Sequence, residues 1–290
     1  MNEIRDTAWR LLWQSKWLSR FVFLIVAFGF TRYIAVNFSA SLLLDSSSQG
    51  LSERLASAET AQELLTLLRD PSVMRSLLLM AAMSLFVATT INSIAAYGLA
   101  RVRLAVAAGN EPPSWIRMCF GGFKDPFGML ALGILHALFV WWPVFFIVVP
   151  AFVLILREAV MTETYSPYYL IALPFSLISI VPFYRYRQAW FIKATHPDFS
   201  ALECLRQSAA LMAGQKMRNF RLDCSFWRPI ALFLSIVFIA TMTAVVGAPP
   251  ILAFLAALLI SALSLYLSAY MPLAQAIFHL QLRKIKESAK

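Results

Sequence analysis

The chain has 290 residues, 60% hydrophobic and only 14% charged, with a mean hydropathy of +0.70. A soluble domain carries about a quarter charged residues, so this apolar excess calls for lipid around it and excludes an ordinary soluble domain. The net charge of +10 would point a soluble chain toward nucleic acid, and the position of the charges decides whether it does so here.

Residues 1–20 read as an interfacial amphipathic helix. Trp9, Trp13 and Trp17 recur every four residues, which places three indoles on one helix face, with Arg10, Lys16 and Arg20 pointing elsewhere. The polar stretch runs as far as Arg20, long for the start of a cleaved signal, so the segment is expected to be retained.

A membrane domain over 21–281 comes next. A helix needs about 20 mostly apolar residues to cross about 30 Å of hydrocarbon. Six stretches approach this: 21–44, 76–99, 127–156, 168–191, 229–246 and 251–273. The expected fold class is therefore all-α, a polytopic transmembrane helical bundle of about six spans with short interfacial amphipathic helices. In the fourth stretch, Arg185 and Arg187 are expected to snorkel to the headgroups.

An outer helical loop is expected over 45–70. Ser46–Gly50 reads as a loop, and Thr60 with Glu63 as a capping box. Pro71, after Asp70, restarts the chain at a first helical position. An inner amphipathic segment is expected over 194–226. Ser200 and Glu203 form a second capping box there, opening a helix with Leu202, Leu205, Ala209 and Met212 on one side and Gly214 as its stop. Gly247 to Pro250 turn the last two spans into a hairpin, and 282–290 is a basic tail. In the sixth span Ala253, Ala257, Ser261, Ser264 and Ser268 draw a small-residue stripe suited to close packing within the chain.

The charges orient this arrangement. With the N-terminus inside, 20 of the 25 Lys and Arg fall on inner segments and 4 outside, with Arg32 inside the first span. The 15 acidic residues divide almost evenly. Cationic loops stay cytoplasmic, so both ends are expected inside a cell membrane, and the high charge needs no nucleic acid. Cys119, Cys204 and Cys224 form no CxxC pair and lie on the inner side, where thiols stay reduced.

The stretch His196-Pro197-Asp198-Phe199-Ser200-Ala201-Leu202-Glu203 leads into Ser208, Met212 to Lys216 and Phe220, then Leu222 to Trp227. It resembles the signature of the integral membrane family catalogued as domain of unknown function 975. Gly98 to Arg101, Gly109 to Pro112, Phe120 to Phe123 and Tyr270 to Phe278 agree in order, so the resemblance covers roughly 72–281. Arg228-Pro229 departs from it, standing where the family tends to have Gly-Trp. The resemblance implies the membrane architecture and carries no activity.

Five residues stand out as functional or lipid-contact candidates: Arg32, His136, Arg218, Arg221 and Asp223. Arg32 within the first span is a costly charge, whose partners would be Asp45 or Glu158. His136 in the third span reads as a hydrogen-bonded packing residue, for it lacks a second ligand at i±3 or i±4. Asp223, among Arg218, Arg221 and Arg228, reads as a salt bridge that fixes the inner hairpin. His196 and His279 are inner-surface residues far apart in sequence, a poor basis for zinc. With no Walker loop, HExxH, GxSxG or GxGxxG, no catalytic residue, cofactor or metal is expected. The expectation is a non-enzymatic envelope-homeostasis or accessory component, in contact with anionic lipid and open to a membrane protein partner. A transporter or channel for a small solute is the alternative, and a lipid-modifying enzyme ranks below both.

Overall fold

A computed structural model describes residues 2–14, 17–47, 71–110, 114–143, 180–245 and 250–288. Among them every regular element is helical. The long ones are α2 (Trp17–Ser47), α3 (Pro71–Ala107), α5 (Pro126–Pro143), α10 (Trp227–Val245) and α11 (Pro250–Ser288). Shorter ones are α1 (Asn2–Gln14), α4 (Trp115–Cys119), α6 (Ile180–Tyr186), α7 (Ala189–Thr195), α8 (Ala201–Leu211) and α9 (Lys216–Cys224).

Among the described residues, three helical segments are long and apolar enough to cross a membrane: Trp17–Asn37, Ala82–Ala107 and Phe254–Ser288. Two bent pairs raise the number to 5 if each is one span: Trp115–Lys124 with Pro126–Val140, at 85°, and Lys216–Cys224 with Trp227–Thr241, at 54°. The expected fourth span lies outside the described residues up to 179. From Ile180 the chain forms α6, a turn at Arg187-Gln188, and α7, so a continuous helix to Phe191 is corrected. The loop expected on the outer side, from 48 onward, and the expected third span beyond Pro143 also lie outside the described residues. Ser46 and Ser47, expected in that loop, belong to α2.

Lipid is needed because the apolar windows of the three long segments are only 17%, 33% and 11% buried within the chain. Phe30, Tyr33, Leu85, Phe238 and Phe254 are all exposed. Facing water, such a band would forfeit about 25 cal/mol per Å² of apolar surface.

The interior packing gathers at one end. Phe21, Leu24 and Phe28 of α2 meet Ala95, Leu99, Val102 and Val106 of α3, and Leu273, Ala274, Ile277 and Phe278 of α11, in one buried cluster. The intervals of three and four residues put each set on one helix face. Gly98 permits a close approach of two backbones, since a Cβ there would collide with the Cys119 carbonyl oxygen. Gly121 lies against the Arg101 side chain, so two of the stretches that resemble the family are in contact. Asp125 then turns the chain into α5: its carboxylate accepts from the Gly128 N–H at 2.9 Å, and Pro126 occupies the first helical position.

Helix α11 runs through Pro272 to Ser288, so the basic tail expected from 282 is part of this helix. Its 39 residues span roughly 59 Å, about twice the hydrocarbon thickness. Pro272 has no N–H to give to Ser268, four residues earlier. Arg103 of α3 donates to that Ser268 carbonyl at 3.1 Å. The proline gap becomes the point where α3 is tied to α11.

Three packing expectations are corrected. Trp17 begins α2 and is 2% exposed, while Trp9 and Trp13 remain on the outside of α1. The face of α1 that packs inward is Ile4, Ala8 and Leu12, because apolar residues at helical spacing bury together. In α8 the buried face is Cys204, Leu205 and Ser208, continued by Met212, with Leu202 exposed. The helix turns that way because the Ser208 hydroxyl is recruited by the break between α6 and α7. Ala257, Ser261 and Ser264 are exposed on α11, so their expected close packing is not formed among the described residues. The capping box at Ser200 forms in its first half, with the hydroxyl accepting from the Glu203 N–H at 3.2 Å.

Candidate functional site

Most of the buried polar side chains among the described residues, Gln188, Lys193, Ser208, Asn219, Gln275 and His279, lie where α6, α7, α8, α9 and α11 meet. The turn between α6 and α7 leaves backbone groups without helical partners. The buried Ser208 hydroxyl serves both sides of it: it accepts from the Gln188 N–H at 3.2 Å and donates to the Arg185 carbonyl at 3.1 Å. Lys193 closes the next turn. It is 4% exposed and donates to the Pro197 and Phe199 carbonyls at 2.7 and 2.8 Å.

Asp223 sits at the centre. Its Oδ2 accepts from the Tyr184 hydroxyl at 2.7 Å and from the Arg187 guanidinium, and its Oδ1 from Gln275 Nε2 at 3.0 Å. Arg187 lies against the rings of Phe183 and Tyr184 at 5.0 and 5.6 Å. The salt bridge expected of Asp223 exists, with a different cation. Arg218 instead lies 5.8 Å over Phe278, Arg221 is exposed, and Arg228 lies against Trp227. Arg187 is turned inward to Asp223, away from the headgroup position expected for it, because a half-buried carboxylate offers it a stronger partner than a lipid surface.

The network continues through two buried amides. Gln188 Nε2 donates to Gln275 Oε1 at 3.4 Å, and Gln188 Oε1 lies 3.2 Å from His279 Nδ1. Gln188, Gln275 and His279 are 0%, 2% and 1% exposed. Sequence reasoning missed both glutamines. Gln275 between Ala274 and Ala276 carried a signal, since an uncharged amide inside an apolar helix must find a partner.

The remaining candidates are dispersed. His136 on α5 is half-buried beside Trp190, 6.2 Å between rings, with Nε2 unpartnered. Arg32 is exposed on α2 and, with Tyr33, Asn37 and Ser84, lines a cavity of about 520 Å³ between α2 and α3. Its expected partner Glu158 lies outside the described residues, as does the Asp45 side chain. Among the described residues, no group of three His, Cys, Asp or Glu side chains is arranged to hold a metal ion.

Helices of membrane length with a lipid-facing apolar surface, joined to a polar packed end, define an all-α membrane protein. The chain belongs to the family described as "Protein of unknown function (DUF975)", whose model matches residues 10–286. No curated protein and no solved structure matches it.

Proposed function

We propose that this is a non-enzymatic multi-pass protein of the cell membrane, with both ends in the cytoplasm, whose basic inner face holds anionic lipid while it serves as an accessory or scaffold component in envelope homeostasis. The observation that supports it is a coincidence of charge and packing. The segments carrying most Lys and Arg are those that pack into the polar end of the bundle, with Arg101, Arg103, Arg187, Arg218 and Arg283 all there. Beside an anionic leaflet each nearby cation contributes about 1 kcal/mol. The Asp223 carboxylate is committed to Arg187, Tyr184 and Gln275, bonds that hold helices together.

The test is thermal unfolding of the full chain in vesicles of neutral lipid against vesicles containing anionic lipid. Higher stability in the anionic vesicles is expected, and equal stability in both would remove the lipid reading. Deletion should impair growth under envelope stress and purification should retain a protein partner; wild-type growth with lipid alone retained counts against the accessory role.

The cavity beside Arg32 supports a second reading, passage of a small solute. Flux into reconstituted liposomes that Arg32→Ala abolishes would favour it; leak unchanged across candidate solutes removes it.

A further inference from the structure

Between α7, α8 and the end of α11 lies a cavity of about 240 Å³, whose walls include His196, Gln207, His279, Arg283 and Lys286. None of its lining residues is acidic, among the described residues. His279 is 1% exposed, and its Nε2 is buried without a hydrogen-bond partner. Leaving such an atom unpaired costs about 1–3 kcal/mol, so a ligand that satisfies it is favoured.

The bonds behind His279 decide what that ligand must offer. Asp223, paired with Arg187, has only acceptors. Gln275 must therefore turn its NH₂ group to Asp223, which leaves its Oε1 for Gln188. Gln188 then spends its NH₂ on Gln275 and turns its own Oε1 to His279. An amide oxygen only accepts, so His279 Nδ1 carries the hydrogen, and Nε2 of the neutral ring is a bare lone pair. Nε2 is buried at the wall of the cavity, so a ligand that reaches it must displace a neighbouring side chain slightly and donate a hydrogen bond there. Arg283 and Lys286 ask in addition for negative charge. Lys286 uses one of its three N–H groups on the Ala210 carbonyl, and Arg283 meets Glu287 at 3.4 Å, so both keep donors for a ligand.

A phosphate that retains a proton answers both demands: its P–O–H donates while its other oxygens accept. We propose that this cavity binds a proton-bearing phosphate group through His279, Arg283 and Lys286. It is presented either by a soluble phosphate or by the phosphomonoester headgroup of a lipid. The pocket goes beyond lipid attraction to the basic face, because inorganic phosphate alone suffices to fill it.

The experiment compares inorganic phosphate with sulfate, which has the same shape and no proton, by equilibrium binding to the full chain in neutral detergent at about pH 6.5, near the second phosphate pKa. Phosphate is expected to bind about tenfold more tightly, the worth of one buried hydrogen bond. Arg283→Gln, at a half-exposed side chain, should weaken both anions and keep the preference, whereas His279→Phe should abolish the preference. Phosphatidic acid in nanodiscs that displaces the phosphate assigns the pocket to the headgroup. Phosphate that stays bound there assigns it to a soluble ester; either result supports the proposal. Equal binding of phosphate and sulfate by the unaltered chain, no phosphate binding, or a preference that survives in His279→Phe overturns it. A negative result in detergent leaves the comparison of neutral and anionic vesicles standing, so the two readings fail separately.

Discussion

Asp223 holds three donors, and each belongs to a different part of the chain: Tyr184 to α6, Arg187 to the turn after it, Gln275 to α11. Removing its charge leaves a half-buried guanidinium without a counter-ion, which typically costs a few kcal/mol. Asp223→Asn should therefore lower stability by about 2 kcal/mol. In a double-mutant cycle with Arg187→Ala, the two losses should fall short of additivity by about 1 kcal/mol or more, read from denaturant unfolding in detergent. The cysteines make a second residue-level case. Burial pushes the Cys204 thiol up, with Lys193 opposing and Glu203 adding to the effect. The thiolate is the reactive form, so a raised pKa means less of it at neutral pH and more as the pH rises. Cys224 is exposed, and Cys204 is buried. Under native conditions a maleimide should modify Cys224 first, with Cys204 slower by about tenfold or more and gaining as pH rises, as followed by mass spectrometry.

Among the elements, α11 shows how a local defect becomes a tertiary tie. Pro272 frees the Ser268 carbonyl, and Arg103 takes it. Arg103→Ala should cost about 1–3 kcal/mol by leaving that carbonyl unpaired. In a Pro272→Ala background the helix supplies its own N–H, so the same change should cost clearly less; equal losses in both backgrounds would show that the tie is unimportant. Helix α1 divides its faces. Ile4, Ala8 and Leu12 pack inward, while Trp9 and Trp13 lie 5.4 Å apart at 46° on an exposed side that suits a membrane interface, with Trp9 also edge-on to Tyr266 and Tyr270 of α11. Replacing Trp13 with alanine should leave unfolding nearly unchanged and weaken attachment of α1 to vesicles, seen as faster proteolysis near the N-terminus, whereas Trp9→Ala should also cost about 1 kcal/mol by losing the Tyr266 and Tyr270 rings.

Over the whole molecule, apolar surface and packed interior are separated along the bundle. The lipid-facing half contributes length and hydropathy; the other half contributes the core and every hydrogen bond of the Asp223 network. Gly98 lies in the packed half, between Ala95 and Leu99 of the core and against Cys119. Gly98→Val should overpack that contact and cost about 1–3 kcal/mol, lowering the unfolding temperature of the full chain. Orientation is a property of the same scale. With the inner side cytoplasmic, an impermeant maleimide should leave Cys224 unmodified in intact cells and label it in inverted vesicles. Labelling from outside would reverse the arrangement.

Hydropathy and spacing were enough to determine the helical class, the cap at Ser200 and the membrane character of the long segments. These depend on local backbone sterics and on runs of apolar residues, both written in neighbouring positions. The partners of Asp223, the inward turn of Trp17 and the buried face of α8 depend on which helices come together. Charge proximity in sequence pointed Asp223 to Arg218, Arg221 and Arg228. Tertiary structure gave it Arg187, 36 residues away, and Gln275, 52 residues away. Local spacing cannot specify such pairs, because a buried carboxylate takes whichever donors the packed helices deliver to it, and that delivery is decided only when distant surfaces close.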